Sequence, residues 1–227
     1  MVQSITDFMK AKEENGLLLI DPNTGSGKTY SACQAIYNYV HNTKNPKKVY
    51  FTTTLLKNLP IKELENCYKE NKNINFSKEV LVIKANVEFI KENLEKVNIS
   101  EEYKKEEYEY LLQLVEEANS KGFENAKPIY KEEIEKLLEK AERDFRKYLK
   151  NKIISKIDGT SDEKKNKIRN DKRYKWIGDI YPTVFTDDYK IYLLSIKKLL
   201  TRNDTLIKRS YQFISADNLK DSIVFHR

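Results

Sequence analysis

The chain has few of the residues that build disulfide scaffolds, metal clusters and membrane spans. Its 227 residues include 2 cysteines, 2 histidines, 6 glycines, 5 prolines and 1 tryptophan. Cys33 and Cys67 lack the spacing of a metal or redox motif, so we expect both thiols to be reduced core or boundary residues. His41 and His226 have no cysteine or carboxylate at ligand spacing, which argues against a metal or nucleophile site. Without an apolar run of about 18 residues or a signal peptide, a soluble cytoplasmic protein that does not enter a membrane is expected.

Charge is what the chain has in quantity. Charged residues make up 34% of it and hydrophobic residues 39%, and 42 Lys+Arg against 35 Asp+Glu give a net charge of +7. This balance permits an anionic partner without requiring one, and it indicates that part of the chain is strongly solvated. The length allows one large domain, or one domain with an insertion.

Short apolar runs alternate with helical patterns at both ends of the chain, which is typical of a parallel α/β sheet. Predicted strands cover 16–20, 48–54, 79–84, 190–195 and 221–227. Predicted helices cover 29–40, 55–70 with an interruption at Pro60, and 196–201. We therefore predict an α/β core formed by residues 1–85 and 180–227.

Between 86 and 157 the apolar residues change to helical spacing in three successive stripes. The stripes are Val87, Ile90, Leu94 and Val97; Tyr108, Leu111, Leu112, Val115 and Ala118; and Ile134, Leu137, Leu138, Ala141 and Phe145. Such stripes are usually core and only rarely a partner-binding surface. We predict a large α-helical, Lys/Glu-rich insertion over 86–179, with a polar, basic segment at 164–176.

Residues 21–30, DPNTGSGKTY, lie between the first predicted strand and the first predicted helix. Gly25 and Gly27 can adopt backbone angles that turn successive N–H groups toward an anion, and the helix start adds its positive dipole end. Lys28 can reach the β- and γ-phosphates of a nucleotide, and the Thr29 hydroxyl can bind Mg²⁺. The alternative is a glycine turn with a solvent-exposed lysine. The order strand, glycine loop, helix favours a phosphate site.

These residues carry a family resemblance. One segment resembles the first motif of superfamily 2 helicases and translocases, the DEAD/DEAH and type III restriction-helicase group. It consists of Thr24, Gly25, Ser26, Gly27, Lys28 and Thr29. The usual pattern begins with glycine, whereas this sequence has Pro22 at that position. Residues 50–56 and 193–200 are similar to two later motifs that contact the nucleic-acid backbone. Gln3 occupies the place of the glutamine that reads adenine in many members.

The resemblance covers 1–85 and 180–227. It implies an N-terminal RecA-like domain, a P-loop parallel sheet with helices on both faces. The implied cofactors are ATP and Mg²⁺, bound through Gln3, the residues of the first motif and, for the metal, Thr29. The implied partners are nucleic acid, DNA more than RNA, contacted by Thr53, Thr54 and Ser195, and a further C-terminal helicase domain or partner chain.

One departure from the family concerns turnover. The family's strand after the second backbone-contact motif ends in an acidic pair that holds Mg²⁺ and orients water, whereas here His226 and Arg227 follow it. Asp187 and Asp188 are the best internal substitute, and their alternative interpretation is a polar turn before the next strand. Phosphoryl transfer depends on such groups, so we expect nucleotide binding with little or no turnover by this chain alone.

The segment 164–176 contains Lys172, Arg173 and Lys175 among its basic residues. These cations could follow a phosphate backbone while Tyr174 and Trp176 stack on bases. The alternative is a solvated basic loop whose aromatic end anchors it to the domain.

Three functions are consistent with these patterns. The first is an ATP-binding, helicase-like domain with an insertion that contacts nucleic acid or a partner. The second is a non-catalytic nucleic-acid or protein interaction module derived from a helicase. The third, a P-loop kinase or other nucleotide-using transferase, ranks last because no acidic base near the loop and no arginine-rich lid is evident.

Overall fold

The computed structural model describes residues 1–11, 17–20, 23, 25–208, 210–215 and 221–227. They form two compact units. One comprises Met1–Ile83, Asp187–Asn203 and Gln212–Arg227, and the other comprises Lys84–Thr186 and Asp204–Tyr211. The chain therefore passes between the units four times. None of the helices in these ranges is long and apolar enough to cross a membrane.

The first unit contains a sheet whose four strands are all parallel. The strands are β1 (Lys48–Thr53), β2 (Val80–Val82), β3 (Ile191–Ser195) and β4 (Ser222–His226), in the spatial order β2-β3-β1-β4. Its helices are α1 (Val2–Lys10), α2 (Lys28–Asn42), α3 (Ile61–Glu70), α4 (Phe76–Glu79) and, after β3, α10 (Ile196–Leu200). The predicted α/β class is confirmed. The central strands β1 and β3 are buried along almost their whole length, as expected where both faces of a parallel sheet are covered.

One face of this sheet packs on α1, α2 and α3. Phe51 of β1 and Leu193 of β3 are buried in one cluster with Ile36 of α2 and Leu64 of α3. On the opposite face, Tyr50, Tyr192 and Phe213 form an aromatic group with ring centroids 4.8–6.0 Å apart. Cys33 and Cys67 are buried free thiols, as predicted. Burial raises the pKa of both, that of Cys67 to about 11, so neither is poised to react.

The predicted strand at 16–20 is wrong over its described part. Residues 17–20 form no strand, and the side chains of Leu17 and Leu19 are 83% and 82% exposed. Gly16 lies outside the described residues. An apolar run becomes a strand only when a neighbouring strand satisfies its backbone groups. In the described sheet this run pairs with no strand, so hydrophobicity alone did not decide its structure.

The second unit is helical and has a core of its own. Its helices are α5 (Asn86–Asn93), α6 (Glu106–Asn119), α7 (Pro128–Tyr148), α8 (Ser161–Asn170) and α9 (Lys175–Ile180). The three predicted apolar stripes contribute Ile90, Leu111 and Phe145 to this core, so the interpretation as core is confirmed. Helix α8 was not predicted. Thr160 caps it in a reciprocal capping box with Glu163, which supports a helix in a segment poor in apolar residues.

A partly buried ionic network holds residues 204–211 in the helical unit. Asp204 pairs with Lys150 and lies 3.5 Å from Arg146, which is 3.1 Å from the buried carboxylate of Glu142. Leu206 enters the helical core with a positive φ of 68°, and its N–H donates to Asp204 at 3.0 Å. The predicted division of the chain did not place residues 204–211 in the helical unit, because the ion pairs that hold them there join residues distant in sequence.

A second polar cluster surrounds Glu79 in the sheet unit. Its Oε2 atom lies 2.9 Å from Nε2 of His41 and accepts a hydrogen bond from the Tyr68 hydroxyl at 2.9 Å. Its Oε1 atom accepts from Nζ of Lys190 at 2.8 Å. His41 Nδ1 faces the Tyr37 carbonyl oxygen at 2.8 Å. His41 is therefore close to a carboxylate in space, although it is isolated from one in sequence.

The Glu79 cluster predicts an acid-sensitive contribution to stability. Burial alone raises the pKa of Glu79, but hydrogen bonds from Lys190, Tyr68 and His41 outweigh burial and lower it overall. Because the folded-state pKa is below the unfolded value, the ionised carboxylate stabilises the fold above the unfolded pKa. This contribution is lost as the pH falls through the folded pKa.

We expect Glu79→Gln to lower the free energy of unfolding by about 1–3 kcal/mol near neutral pH, because buried donors lose a charged acceptor. The difference from the parent should shrink in acid. Urea unfolding, followed by circular dichroism at neutral and at acidic pH, measures this difference in the free energy of unfolding. The matched control is Glu65→Gln, which removes an exposed 2.9 Å pair with Lys69 and should change stability by less than about 0.5 kcal/mol. A pH-independent loss in the Glu79 variant would contradict the assignment.

Candidate functional site

The glycine loop has the backbone conformation that its sequence predicts. Gly25 and Gly27 have φ values of 84° and 74°, in the left-handed region that other residues rarely adopt. The Ser26 N–H donates to the Asn23 carbonyl at 3.2 Å, and α2 begins directly afterwards with Gly27 as its N-cap. Among the described residues no side chain caps this helix. A helix start of this kind, without a side-chain cap from the described residues, is a common anion-binding position in proteins.

The start of α2 lies at the carboxyl edge of the sheet. Helix α2 packs on the face formed by β1 and β3, and the connection over 43–47 returns the chain directly into β1. The helix therefore runs antiparallel to the strands. Its N-terminus and the glycine loop lie beside the ends of β1, β3 and β4, where parallel α/β sheets bind ligands.

The two predicted backbone-contact segments also meet at this edge. Thr53 ends β1, Ser195 ends β3, and the two residues are partners in the register. Their hydroxyl groups are engaged locally: Thr53 donates to the Leu55 carbonyl at 2.8 Å, and Ser195 accepts from the Lys198 N–H at 3.2 Å. Thr54 is exposed. The edge therefore offers Thr54 and backbone groups to a ligand more readily than the Thr53 or Ser195 hydroxyls.

The carboxyl edge is cationic. The residues that directly follow β1, β3 and β4, over 54–58, 196–202 and 227, include Lys57, Lys197 and Arg227 and contain no Asp or Glu. Lys28 adds a further positive charge at the loop. The arrangement favours an anionic ligand, and the described residues that follow β1 and β3 supply no side-chain carboxylate for holding a metal or orienting water.

Asp187 and Asp188 do not lie at the carboxyl edge, where an acidic pair was expected. They close a 3₁₀ segment (Pro182–Asp188) that precedes β3, so they lie at the amino end of that strand, away from the glycine loop. The alternative, a polar segment before the strand, is the observed one. Among the described residues no group of three His, Cys, Asp or Glu side chains is arranged to hold a metal ion. Thr29, the metal ligand that the sequence predicted, is half-buried in the first turn of α2.

His226 ends β4, the strand after which the helicase resemblance implies an acidic pair. Its Nδ1 lies 3.0 Å from the Thr52 hydroxyl, which itself donates to the Phe225 carbonyl at 2.9 Å. The Thr52 hydroxyl therefore bridges the imidazole ring and the backbone of β4. Sequence reasoning missed this arrangement, although the end of a predicted strand was the signal that could have indicated it.

The remaining predicted nucleotide contacts are less well placed. Gln3 lies exposed on α1, and its amide donates to Asp7 on the same helix at 2.7 Å. Thr24, the first residue of the resembling motif, lies outside the described residues. The loop from Gly25 to Thr29 is consequently the part of the predicted site that the structure brings together.

The basic segment 164–176 is anchored by its aromatic residues. Trp176 is 3% exposed, and its Nε1 donates to the Arg173 carbonyl at 2.8 Å. Tyr174 packs on Tyr103. The predicted stacking of Trp176 on a base is wrong, because the indole belongs to the helical core. Lys172, Arg173 and Lys175 are exposed, although the Arg173 guanidinium already pairs with the Asp171 carboxylate at 2.7 Å. Lys172 and Lys175 are therefore the more accessible cations for an anionic partner.

No protein-family model matches the chain, and no curated protein has significant similarity to it. The helicase resemblance therefore remains an expectation from the sequence.

Trp176 provides a direct optical test of the anchoring because it is the only tryptophan. We expect the blue-shifted emission of a buried indole, weak quenching by acrylamide, and no change when single-stranded DNA is added. Trp176→Ala should destabilise the protein by about 3–5 kcal/mol through loss of core packing. Strong quenching by DNA would contradict the buried assignment and restore the stacking interpretation.

Proposed function

We propose that this chain binds ATP with Mg²⁺ through the Gly25–Thr29 loop, as the N-terminal portion of a DNA helicase- or translocase-like protein. The observation that carries the proposal is the pair of left-handed glycines opening α2, at the carboxyl edge of a parallel sheet. Backbone N–H groups, the helix dipole and Lys28 would meet the phosphates. Thr29 would hold the Mg²⁺, which supplies charge compensation on the phosphates when bound.

Little or no turnover by this chain alone belongs to the same proposal. The residues that follow the strand ends are cationic or neutral, so the charges needed to bind phosphate are present. A group that orients the attacking water is absent from the described carboxyl edge. Such a site stabilises the bound ground state without the additional transition-state contacts that accelerate transfer.

A nucleic-acid partner, DNA more than RNA, is supported by two exposed cationic surfaces. One is the carboxyl edge around Thr54, Lys57 and Lys197, and the other consists of Lys172, Arg173 and Lys175 in the helical unit. Each surface contacts phosphates in a sequence-independent way, so binding should weaken as salt is raised.

The alternative is a non-catalytic interaction module derived from a helicase. One observation favours it: the run at 17–20, which should form the strand behind a phosphate loop, is exposed and unpaired with any described strand. In that case the cationic surfaces would bind nucleic acid without any response to nucleotide.

Calorimetric titration with ATP and Mg²⁺ tests the loop. We expect micromolar binding in the parent and at least tenfold weaker binding in Lys28→Ala, because the lysine contacts the phosphates. The control Lys44→Ala changes an exposed lysine beyond the other end of α2 and should leave affinity unchanged. Absence of heat in the parent would refute the nucleotide proposal and favour the interaction module.

The basic segment is tested by replacing Lys172, Arg173 and Lys175 together with glutamate. We expect weaker binding of single-stranded DNA in a gel-shift assay and a shallower dependence of affinity on salt. The matched control replaces exposed Lys121, Lys127 and Lys140 with glutamate, which makes the same change in net charge elsewhere in the helical unit. Equal losses in both variants would indicate a net-charge effect and reject a specific surface.

A further inference from the structure

The hairpin of α6 and α7 presents two tyrosines to solvent. Tyr110 of α6 is 46% exposed, and Tyr130 of α7 is 40% exposed. The two helices are antiparallel: Tyr108 packs on Phe145 with ring centroids 6.1 Å apart, whereas the Tyr130 hydroxyl donates to Oε1 of Glu117 at 2.9 Å. Exposed aromatic side chains bordered by polar ones are typical of an interaction surface.

The surface around these side chains, here named the tyrosine face, consists of Tyr110, Gln113, Glu117, Tyr130 and Glu133. Helical spacing places the first three on one side of α6 and the last two on one side of α7. All five side chains are exposed, and α6 contains glutamates but no lysine or arginine. Among the described residues none hydrogen-bonds to the Tyr110 hydroxyl or forms an ion pair with Glu133. The tyrosine face is therefore aromatic and negatively charged.

A complementary surface lies elsewhere on the same helical unit. Lys172 and Lys175 are exposed and follow α8, whose own Lys167 is exposed as well. These three residues are named the lysine surface. Lysine ammonium groups are attracted both to carboxylates and to the faces of tyrosine rings. Because both surfaces are exposed in the same chain, neither covers the other.

We propose that the tyrosine face of one copy of this chain binds the lysine surface of a second copy. Charge complementarity selects this occupant, since glutamates would meet lysines and ammonium groups would lie against tyrosine rings. Two tyrosine faces in contact would instead place like charges together. The contact is heterologous, so an open assembly keeps one unused surface of each kind at its two ends.

The contact is weak and reversible, because exposed ion pairs and cation–π contacts each contribute little. A dissociation constant on the order of 100 μM is expected, with further weakening as salt screens the charges. The lysines also belong to the proposed nucleic-acid surface, but the contact between copies does not rest on that function. Association is measured without nucleotide or nucleic acid, so that its failure and a failure of nucleic-acid binding are distinguishable.

Sedimentation velocity at low salt, at concentrations up to about 1 mM, tests the contact. We expect the parent to form dimers and larger species as concentration rises, and to return to monomer at about 0.5 M salt. Tyr110→Ser with Glu133→Gln removes the tyrosine face, and Lys172→Gln with Lys175→Gln removes the lysine surface. Each of these two variants alone should stay monomeric. A parent that is itself monomeric throughout would overturn the proposal.

The matched control is Lys44→Gln with Lys78→Gln, which makes the same change in net charge on exposed lysines of the sheet unit. This variant should associate like the parent. Equal loss of association in the control and in the lysine-surface variant would indicate an effect of net charge and reject the specific contact.

Mixing the two monomeric variants is the sharper test. Each retains the surface that the other lacks, so one contact can form between them and no further copy can add to it. We expect an equimolar dimer with the affinity of the parent contact and no larger species. The substitutions are neutral and create no new charge pair between the variants. A mixture that stays monomeric, or that assembles beyond a dimer as the parent does, would refute the pairing of these two surfaces.

Discussion

Parallel pairing of β1 with β3 is the contact on which the rest of the molecule depends. The two strands are separated in sequence by the whole of α5–α9, and their register places Thr53 directly beside Ser195. The pair provides the apolar face on which α2 lies, and thereby fixes the glycine loop at the carboxyl edge. Because the contact closes a long loop, its formation carries an entropic cost that the burial of the two strands has to offset.

The chemistry of the carboxyl edge follows from what surrounds that pair. The N-terminus of α2, Lys28 and the lysines after β1 and β3 all favour an anion, whereas the described carboxylate of Glu79 lies at the other end of β2 and β3. Glu79 is occupied by His41, Tyr68 and Lys190. Among the described residues, this charge distribution agrees with the proposed binding of an anionic ligand at the edge.

Local pattern predicted the elements that are determined locally. The helical spacing of Ala32 and Ile36 was sufficient for α2, and the stripes of α6 and α7 were sufficient for their core. The strand prediction at 17–20 was wrong because a strand requires a partner strand, which no local pattern reveals. Helix α8 was missed because a capping box, with no apolar stripe, supports it. The His41–Glu79 contact and the Thr52–His226 bond join positions distant in sequence, which spacing alone does not bring together.

The return of residues 204–211 to the helical unit has a consequence for modularity. Leu206 completes a core made mainly by α5–α9, although it follows the strand and helix that end at 200. Excising 84–186 as if it were a cassette would strip a buried leucine and the Asp204 carboxylate of their surroundings. Each unit is therefore assembled from segments that alternate along the sequence with those of the other unit. A deletion or fusion with boundaries at 84 and 186 would leave neither the helical unit nor the sheet unit complete.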